Sequence, residues 1–284
     1  MQTNAQASLP DPGGTRLVNI NPSVFQGLGG WLAIPPSIDP DAAPLVAVHG
    51  IGRDARNQAV RFGGQAASQG RMVIAPRFDE TSWPGYQRLG ARGQRADLAL
   101  IRLLELVAFR WRVNTRRVCL FGYSGGAQFV HRFGLLHPHR VVQLNVCASG
   151  WFTWPTEDEP YPAGLGAATG PAGLIAQAAR HNLSRFLQVP TQVFVGAQDC
   201  VADPHTRNDA RINALQGSHR LERARRWVLA LNQQARQRGL TPRATLTVLP
   251  GAGHDFRQCL ASGALVRAVL PMADPHAADL QRAA

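Results

Sequence analysis

The chain has 284 residues, of which 45% are hydrophobic, and it carries a formal net charge of +12. All 30 basic residues are arginines. The chain therefore cannot form a Walker phosphate loop, a lysine Schiff base or a serine–lysine dyad, each of which needs a lysine. A chain of this length can build one large core, and single α/β domains of this size are common.

Neither the first residues nor the most apolar segment is typical of an export signal or a membrane span. Residues 1–14 are polar, contain Pro and Gly, and lack the basic start and apolar stretch of a signal peptide. The most apolar long segment, 98–111, is interrupted by three charged residues, so no membrane span of about 20 residues is predicted. We expect a cytoplasmic protein with a flexible N-terminus at 1–14, one domain over 15–272 and a tail at 273–284.

The predicted elements alternate between strand and helix along the chain. Residues 15–20 and 30–34 predict an opening pair of antiparallel strands, and the apolar positions of 98–111 recur at the spacing of one helical face. Further strands are predicted at 45–49, 71–75, 118–121, 141–146, 193–195 and 244–249, and further helices at 128–136, 221–238 and 260–270. This alternation predicts an α/β fold with a mostly parallel sheet and helices on both faces.

The segment 122–126 has the Gly-x-Ser-x-Gly sequence of a nucleophile elbow, between an apolar strand pattern and a helical pattern. In such an elbow the serine sits on a sharp strand-to-helix turn. Side chains at Gly122 or Gly126 would collide with the neighbouring chain, and Ser124 needs strained backbone angles. Ser124 is therefore the predicted nucleophile. The N–H of Gly125, at the start of the helix, is a predicted oxyanion donor.

Three further positions, each just past a predicted strand, complete a candidate catalytic site. The strand at 45–49 ends in His-Gly. Proteins with a nucleophile elbow supply a second oxyanion N–H from the loop at this place, and we assign this donor to Ile51. Asp199 follows one later strand within a short loop and is the predicted acid. His254 lies in the glycine-rich loop after the last strand and is the predicted base. The chain order Ser, Asp, His is one in which this triad occurs.

Several neighbouring residues compete for roles in this site. Asp203 is an alternative acid, because it lies in the same loop as Asp199 and the acid must reach the far ring nitrogen of the base. His49 precedes the elbow and is interpreted as a support of the oxyanion loop through its ring hydrogen bonds. No carboxylate completes a metal site with the remaining histidines of this region, so no metal or organic cofactor is predicted. The histidines interpreted as surface residues are His131, His137 and His139.

These motifs resemble the α/β-hydrolases of the esterase kind, and more narrowly bacterial polyhydroxyalkanoate-depolymerase-like esterases. The similarity covers about 45–254 and is carried by the segments 49–53, 82–86, 122–133 and 149–152. The resemblance implies an α/β-hydrolase fold whose serine triad cleaves carboxylic esters through an acyl-enzyme intermediate. It says little about the substrate, for which a polyester and a short-chain ester are both candidates.

The segment 151–187 departs from the regular alternation and opens with Trp-Phe-Thr-Trp. In this fold a short lid-like insertion there commonly lies over the active site. Its aromatic residues either line an acyl pocket or anchor the loop on the core. A Pro-Gly turn at 84–85 follows a strand end and brings two more aromatic residues to the catalytic edge. The candidate pocket residues are Tyr123, Trp83, Tyr86, Trp151 and Trp154.

Two of the four cysteines flank the candidate catalytic loops. Cys200 follows Asp199 directly, and Cys259 lies five positions after His254. If the acid and base are in contact, a Cys200–Cys259 disulfide could clamp the two loops, as in several secreted polyester-cleaving hydrolases that the chain resembles. Such a bridge would indicate a periplasmic or secreted protein, whereas cytosolic thiols stay reduced. Cys119 and Cys147 fall in predicted strands and are interpreted as buried core residues.

The positive charge is concentrated near the helix predicted at 221–238, and we interpret it as a solvent-facing surface. Its arginines are Arg220, Arg223, Arg225, Arg226, Arg236 and Arg238. Few aromatic residues are interleaved with them, so no nucleic-acid partner is expected. The alternative functions are a serine peptidase or thioesterase with the same triad, and a non-catalytic Arg-rich protein that binds polyanions. The sequence leaves the acyl chain length and the oligomeric state open.

Overall fold

A computed structural model describes residues 14–23, 27–90 and 94–271. The expectations for a flexible segment at 1–14 and a tail at 273–284 lie outside these residues, apart from Gly14. The strands are β1 Arg16–Ile20, β2 Gly29–Ile34, β3 Leu45–Val48, β4 Val73–Arg77, β5 Val118–Tyr123, β6 Val141–Cys147, β7 Thr191–Gly196 and β8 Ala244–Leu249. The helices are α1 Ala55–Ala67, α2 Ala96–Trp111, α3 Gly125–Leu136, α4 Gly170–Phe186, α5 Ala210–Gln216, α6 Arg220–Gln237, α7 Phe256–Leu260 and α8 Ala264–Val269.

All eight strands of the described residues form one sheet in the order β1-β2-β4-β3-β5-β6-β7-β8. The β1–β2 and β2–β4 pairs are antiparallel, and every pair from β4 to β8 is parallel. The mostly parallel sheet and its opening antiparallel pair are therefore confirmed. Because parallel strands end at the same edge, the loops that follow β3, β5, β7 and β8 meet there.

Strand β3, in the middle of the sheet, is apolar and buried along its whole length because helices cover both faces of the sheet. In β3, Val46 and Val48 belong to one buried cluster, and Leu45 and Ala47 belong to the other. The first cluster receives apolar side chains of α2, α3, α4 and α6, and the second receives those of α1 and α8. This two-layered burial confirms helices on both faces. No helix within the described residues is long and apolar enough to cross a membrane.

Two predicted boundaries are wrong. The helix predicted at 260–270 is two short helices, α7 and α8, because Gly263 between them takes a left-handed conformation with φ of +68°. The segment 151–187 is less of an insertion than expected, since it contains α4, which packs against α3 as the connection between β6 and β7. The irregular part is thus confined to residues 151–169.

Not all arginines of helix α6 face the solvent. Arg220 and Arg223 are buried, with 1% and 0% of their surface exposed, which contradicts the sequence-based interpretation for these two residues. A buried guanidinium must find hydrogen-bond acceptors, and both side chains reach into the loops above the sheet edge. The other four predicted surface arginines are exposed: Arg225, Arg226, Arg236 and Arg238.

Candidate active site

Ser124 lies at the turn between β5 and α3, with φ of 53° and ψ of −110°. A non-glycine residue with positive φ is strained and needs support from its surroundings. Part of this support is the hydrogen bond from the Ser124 N–H to the carbonyl of Cys147, at 2.9 Å. Because the turn directly follows β5, it places the Ser124 hydroxyl at the carboxyl edge of the sheet, where the residue is 9% exposed.

The two glycines that flank Ser124 are required by close backbone approach. A Cβ atom on Gly122 would lie 2.3 Å from the carbonyl oxygen of Gly126, and one on Gly126 would lie 2.2 Å from the carbonyl oxygen of Val48. Both distances are far inside van der Waals contact and involve backbone, which cannot move aside as a flexible side chain can. The elbow is thus tight because strand β3 passes directly beneath the start of α3.

His254 and Asp199 form a continuous hydrogen-bonded chain with Ser124. The His254 Nε2 atom lies 3.1 Å from the Ser124 Oγ atom, and the His254 Nδ1 atom lies 3.0 Å from Asp199 Oδ2. The Asp199 side chain is buried at 2% exposure, whereas that of His254 is 21% exposed. A carboxylate accepts from Nδ1–H, so the lone pair of Nε2 faces the serine hydroxyl. The structure therefore brings the three predicted triad residues together.

Asp203, the alternative acid, points elsewhere. Both of its carboxylate oxygens bind the guanidinium of Arg220, at 2.7 and 3.0 Å. The same guanidinium reaches the second oxygen of Asp199 at 3.2 Å. In the sequence, Arg220 is one of several arginines near a predicted helix, and no motif assigns it to the site. Its position as the first residue of α6 is the only sequence signal.

The two predicted oxyanion donors lie side by side. A Cβ atom on Gly125 would lie 3.4 Å from the backbone nitrogen of Ile51. Gly125 is the first residue of α3, where an N–H has no acceptor within the helix. The hydroxyl of Tyr86 would lie 2.9 Å from the same Cβ and donates to the carbonyl of His49 at 2.8 Å. Tyr86 therefore holds the loop that carries Ile51.

His49 supports this loop from below, as its place in the sequence predicted. Its Nε2 atom accepts the N–H of Phe78 at 3.0 Å, so Nδ1 carries the proton and donates to the carbonyl of Gly50 at 2.7 Å. Burial lowers the pKa of His49 to about 4, and the charges of Arg53 and Arg77 act in the same direction. A neutral ring with both nitrogens bonded is a fixed structural support.

A cavity of about 250 Å³ opens over Ser124. Tyr123 lines it and stacks on the His254 ring, with centroids 5.4 Å apart and planes inclined by 19°. The cavity is also lined by residues that the sequence did not single out: Arg53, Asp54, Asn57, Gln58, His205 and Phe256. Most of these come from the start of α1 and from the loops after β7 and β8, so their place depended on tertiary packing.

The other four candidate pocket residues are not among those that line this cavity. Trp83 is buried and donates to the carbonyl of Gly27, and Tyr86 supports the oxyanion loop. Trp151 is buried between the guanidinium groups of two arginines, at 4.4 and 4.5 Å from the ring centre, and Trp154 packs against the main core. The three tryptophans do not line the cavity around Ser124, whereas the hydroxyl of Tyr86 lies beside the oxyanion donors. The anchoring interpretation holds for Trp151 and Trp154.

The Cys200–Cys259 bridge is absent, since all four cysteines are free. Cys200 is exposed, whereas Cys259 is buried and its thiol lies beside that of Cys147. The acid and base loops do meet, but α7 turns Cys259 inward to the sheet while Cys200 faces outward. Contact between two loops does not bring their next residues together, because each side chain follows its own backbone direction.

The histidines of α3 and its end are not a metal site. Within the described residues, no cluster of three His, Cys, Asp or Glu side chains could hold a metal ion. His131 is fully buried, contrary to the surface interpretation. Its Nε2 atom accepts the N–H of Thr153, and its ring packs against Trp227. His137 binds Asp97 at 2.9 Å. Both rings have structural partners.

The fold and the arrangement at its carboxyl edge define the class of the chain, the α/β-hydrolases. Over its whole length the chain is similar to a poly(3-hydroxybutyrate) depolymerase from Bordetella parapertussis, with 26% identity, 96% of that protein covered and a TM-score of 0.71. It also shares the fold of poly(aspartic acid) hydrolase-1 from Sphingomonas sp. KT-1, at 20% identity over 93% of this chain and 98% of that one, with a TM-score of 0.70.

A third solved structure with this fold is an S-formylglutathione hydrolase from Agrobacterium tumefaciens, at 14% identity. The match covers 93% of this chain and 99% of that one, with a TM-score of 0.57. No family model and no curated protein matches the chain. The solved structures thus place the chain among the hydrolases at the level of class, as the sequence motifs predicted.

Proposed function

We propose that the protein is a serine hydrolase that cleaves carboxylic esters. The observation that carries this proposal is the hydrogen-bonded chain from Ser124 through His254 to Asp199, with both links at 3.0–3.1 Å. These distances are within the range in which a base can take the proton of a nucleophile. The similarity to a poly(3-hydroxybutyrate) depolymerase over the whole chain supports the ester class.

In the first half of the reaction, Ser124 Oγ attacks the ester carbonyl carbon while His254 Nε2 takes the hydroxyl proton. The negative charge that develops on the carbonyl oxygen is received by the N–H groups of Ile51 and Gly125. Asp199 holds His254 in the tautomer that presents a lone pair to Ser124 and stabilises the imidazolium that forms. His254 then gives its proton to the leaving alcohol, and the acyl group remains on Ser124.

In the second half, His254 removes a proton from water, which attacks the acyl carbon of the acyl-enzyme. The same two N–H groups receive the second oxyanion, and the carboxylic acid leaves as Ser124 Oγ regains its proton. These steps need only the groups named and water, so the proposal includes no metal or organic cofactor.

The cavity over Ser124 favours a small acyl group. A volume of about 250 Å³ is slightly below the roughly 300–1,000 Å³ of common ligand pockets. Short-chain esters, or single units of a polyester whose chain continues into solvent, would fit this space. The exposed side chain of Ile51 at the cavity rim, 45% exposed, would contact the part of the substrate outside.

The same triad can hydrolyse thioesters and amides, so a thioesterase or serine peptidase remains the enzymatic alternative. A non-catalytic Arg-rich protein is the alternative from another class. It would bind heparin or DNA with a steep dependence on salt and would not react with phosphonates. The net charge of +12 is the feature that favours this second candidate.

The decisive experiment exposes the purified protein to a fluorophosphonate and then to p-nitrophenyl esters of increasing acyl length. Ser124→Ala should lose labelling and several orders of magnitude in turnover, because the nucleophile is removed. Ser68→Ala, which changes an exposed serine of no catalytic role, is the matched control and should behave as the wild type. A folded wild type that neither labels nor hydrolyses any ester would contradict the proposal.

A further inference from the structure

A buried arginine lies directly behind the candidate triad and binds two carboxylates. Arg220 is 1% exposed, and its Nη1 atom lies 3.2 Å from Asp199 Oδ1 and 2.7 Å from Asp203 Oδ2. Its Nη2 atom lies 3.0 Å from Asp203 Oδ1. One oxygen of Asp199 therefore faces His254 and the other faces Arg220, so the plane of the Asp199 carboxylate is set from both sides.

The backbone also ties this cation to the acid loop. The N–H of Leu221, in the first turn of α6, donates to the carbonyl of Asp199 at 3.1 Å. On the other side, Asp203 accepts from the hydroxyl of Thr206 at 3.0 Å and from the N–H of His205 at 2.8 Å. Arg220 is thus held between two carboxylates that each have further fixed partners.

The charges of this group have a definite balance. Arg220 by itself would neutralise Asp199 and weaken the attraction between Asp199 and a protonated His254. With Asp203 present, two carboxylates and one guanidinium leave one net negative charge behind the ring. The hydrogen bonds from Arg220 hold the pKa of Asp203 well below its ordinary range. Burial opposes the charge of Arg220, but the hydrogen bonds with Asp203 and the charges of both carboxylates raise its pKa.

We propose that Arg220 is a positioning residue that aims the Asp199 carboxylate at His254, and that Asp203 restores the negative charge that Arg220 would otherwise cancel. This inference rests on the proposed function of the triad. It assigns a role to a buried arginine that a purely structural interpretation of α6 would not require.

The chain offers a matched control on the same helix. Arg223 is also buried, and its guanidinium donates to the carbonyl oxygens of Gly217 and Arg207. Replacing either arginine by glutamine removes one buried charge from α6. A structural role alone predicts similar losses of stability and unchanged pH profiles for Arg220→Gln and Arg223→Gln.

The test measures kcat, KM and the pH dependence of kcat/KM for ester hydrolysis in Arg220→Gln, Asp203→Asn, the double variant and Arg223→Gln. The acid limb of this profile reports protonation of the free enzyme's base. Without Arg220 the limb should move to higher pH by about half a unit, because the two carboxylates behind the imidazolium then lack their compensating cation. In Asp203→Asn it should move to lower pH, because the arginine is uncompensated.

The double variant should return the limb to near its wild-type position, and Arg223→Gln should not move it. In Arg220→Gln, kcat should also fall about tenfold with little change in KM, because the loss concerns the base and not substrate contacts. Coincident profiles for Arg220→Gln and Arg223→Gln, or shifts of the two single variants in one direction, would overturn the inference. Asp203 has 31% of its side chain exposed, so Asp203→Asn remains testable if the arginine variants do not fold.

Other charged or titratable groups near the ring are unchanged in all four variants and cancel in the comparison. They are Tyr123 of β5, Cys147 of β6, Asp255 and Cys259 beyond His254, and, across the cavity, His49, Arg53, Asp54 and His205.

Failure of the proposed function and failure of the role of Arg220 are distinguishable. An inactive wild type, or an active Ser124→Ala, contradicts the proposed function. An active wild type whose arginine variants share one profile contradicts only the role of Arg220.

Discussion

The Nε2 atom of His254 lies 3.1 Å from the Oγ atom of Ser124, although 130 residues separate the two in the chain. The contact arises because β5 and β8 are both parallel strands whose carboxyl ends reach one edge of the sheet. Each residue sits in the loop or turn that directly follows its strand. The sheet therefore acts as the scaffold on which the loops place the chemistry.

The elbow should not tolerate a methyl group at its second glycine. Gly126→Ala places a Cβ atom 2.2 Å from the carbonyl oxygen of Val48, and we expect a loss of about 2–3 kcal/mol in the free energy of unfolding. Gly64→Ala is the control, because Gly64 is exposed in α1 with nothing within 4 Å of its added Cβ. That change should stabilise the protein by up to about 1 kcal/mol. Urea unfolding measures both, and equal stability of the two variants would contradict the expected clash.

Buried His49 should make the protein less stable below neutral pH. Its folded pKa is about 4, below the ordinary value of 6.5, so the unfolded chain binds more protons between these values. Stability is then full above about pH 6.5 and falls as the pH falls towards 4. From pH 7 to pH 5 this group should contribute a loss of about 2 kcal/mol.

The measurement is urea unfolding at pH 7 and pH 5 for the wild type and for His49→Gln, which does not titrate. The variant should be less stable at pH 7, because it lacks the ring that bonds Phe78 and Gly50. Its loss between the two pH values should be clearly smaller than that of the wild type. The remaining loss includes His131, whose pKa burial also lowers. An identical pH dependence in both proteins would show that His49 keeps its ordinary pKa in the folded state.

The four thiols should differ in reactivity. In the folded protein, a disulfide-exchange reagent should modify about one thiol per chain, Cys200, because Cys119, Cys147 and Cys259 are buried. Denaturant should expose all four. The mass of the untreated chain should equal that of the fully reduced one. Cys200→Ser should abolish the fast reaction and leave stability unchanged. An untreated wild-type chain that is lighter than the reduced one by two hydrogens would reveal a disulfide and contradict this prediction.

The ring of Tyr123 should matter more than its hydroxyl. The ring stacks on His254 and contacts Phe256, so Tyr123→Phe should keep ester turnover within about twofold. Tyr123→Ala removes the ring that packs against the base and should lower kcat by about tenfold or more, since a small misplacement of a catalytic group is costly. Steady-state kinetics of the two variants test this, and a Phe variant as impaired as the Ala variant would assign the role to the hydroxyl.

Much of this architecture is readable in the sequence. The apolar runs predicted the strands, and the Gly-x-Ser-x-Gly turn predicted a site whose glycines meet backbone at 2.2 and 2.3 Å. Ser124, Asp199 and His254 each follow a strand, so parallel strand direction brings the loops that carry them to one edge of the sheet. These inferences depend on local pattern and on a rule about sheet edges, and neither needs the packing of particular side chains.

Tertiary structure decided which neighbours each side chain meets. It directed Asp199 rather than Asp203 to His254, buried Arg220 and Arg223, and turned Cys259 to Cys147 instead of Cys200. It also placed three tryptophans outside the lining of the cavity and brought the start of α1 to it. The sequence by itself determined the strands and the loops that carry the site, because backbone pattern is local. The direction of each side chain depends on how helices rotate and loops turn against one another, and only the packed fold specifies this.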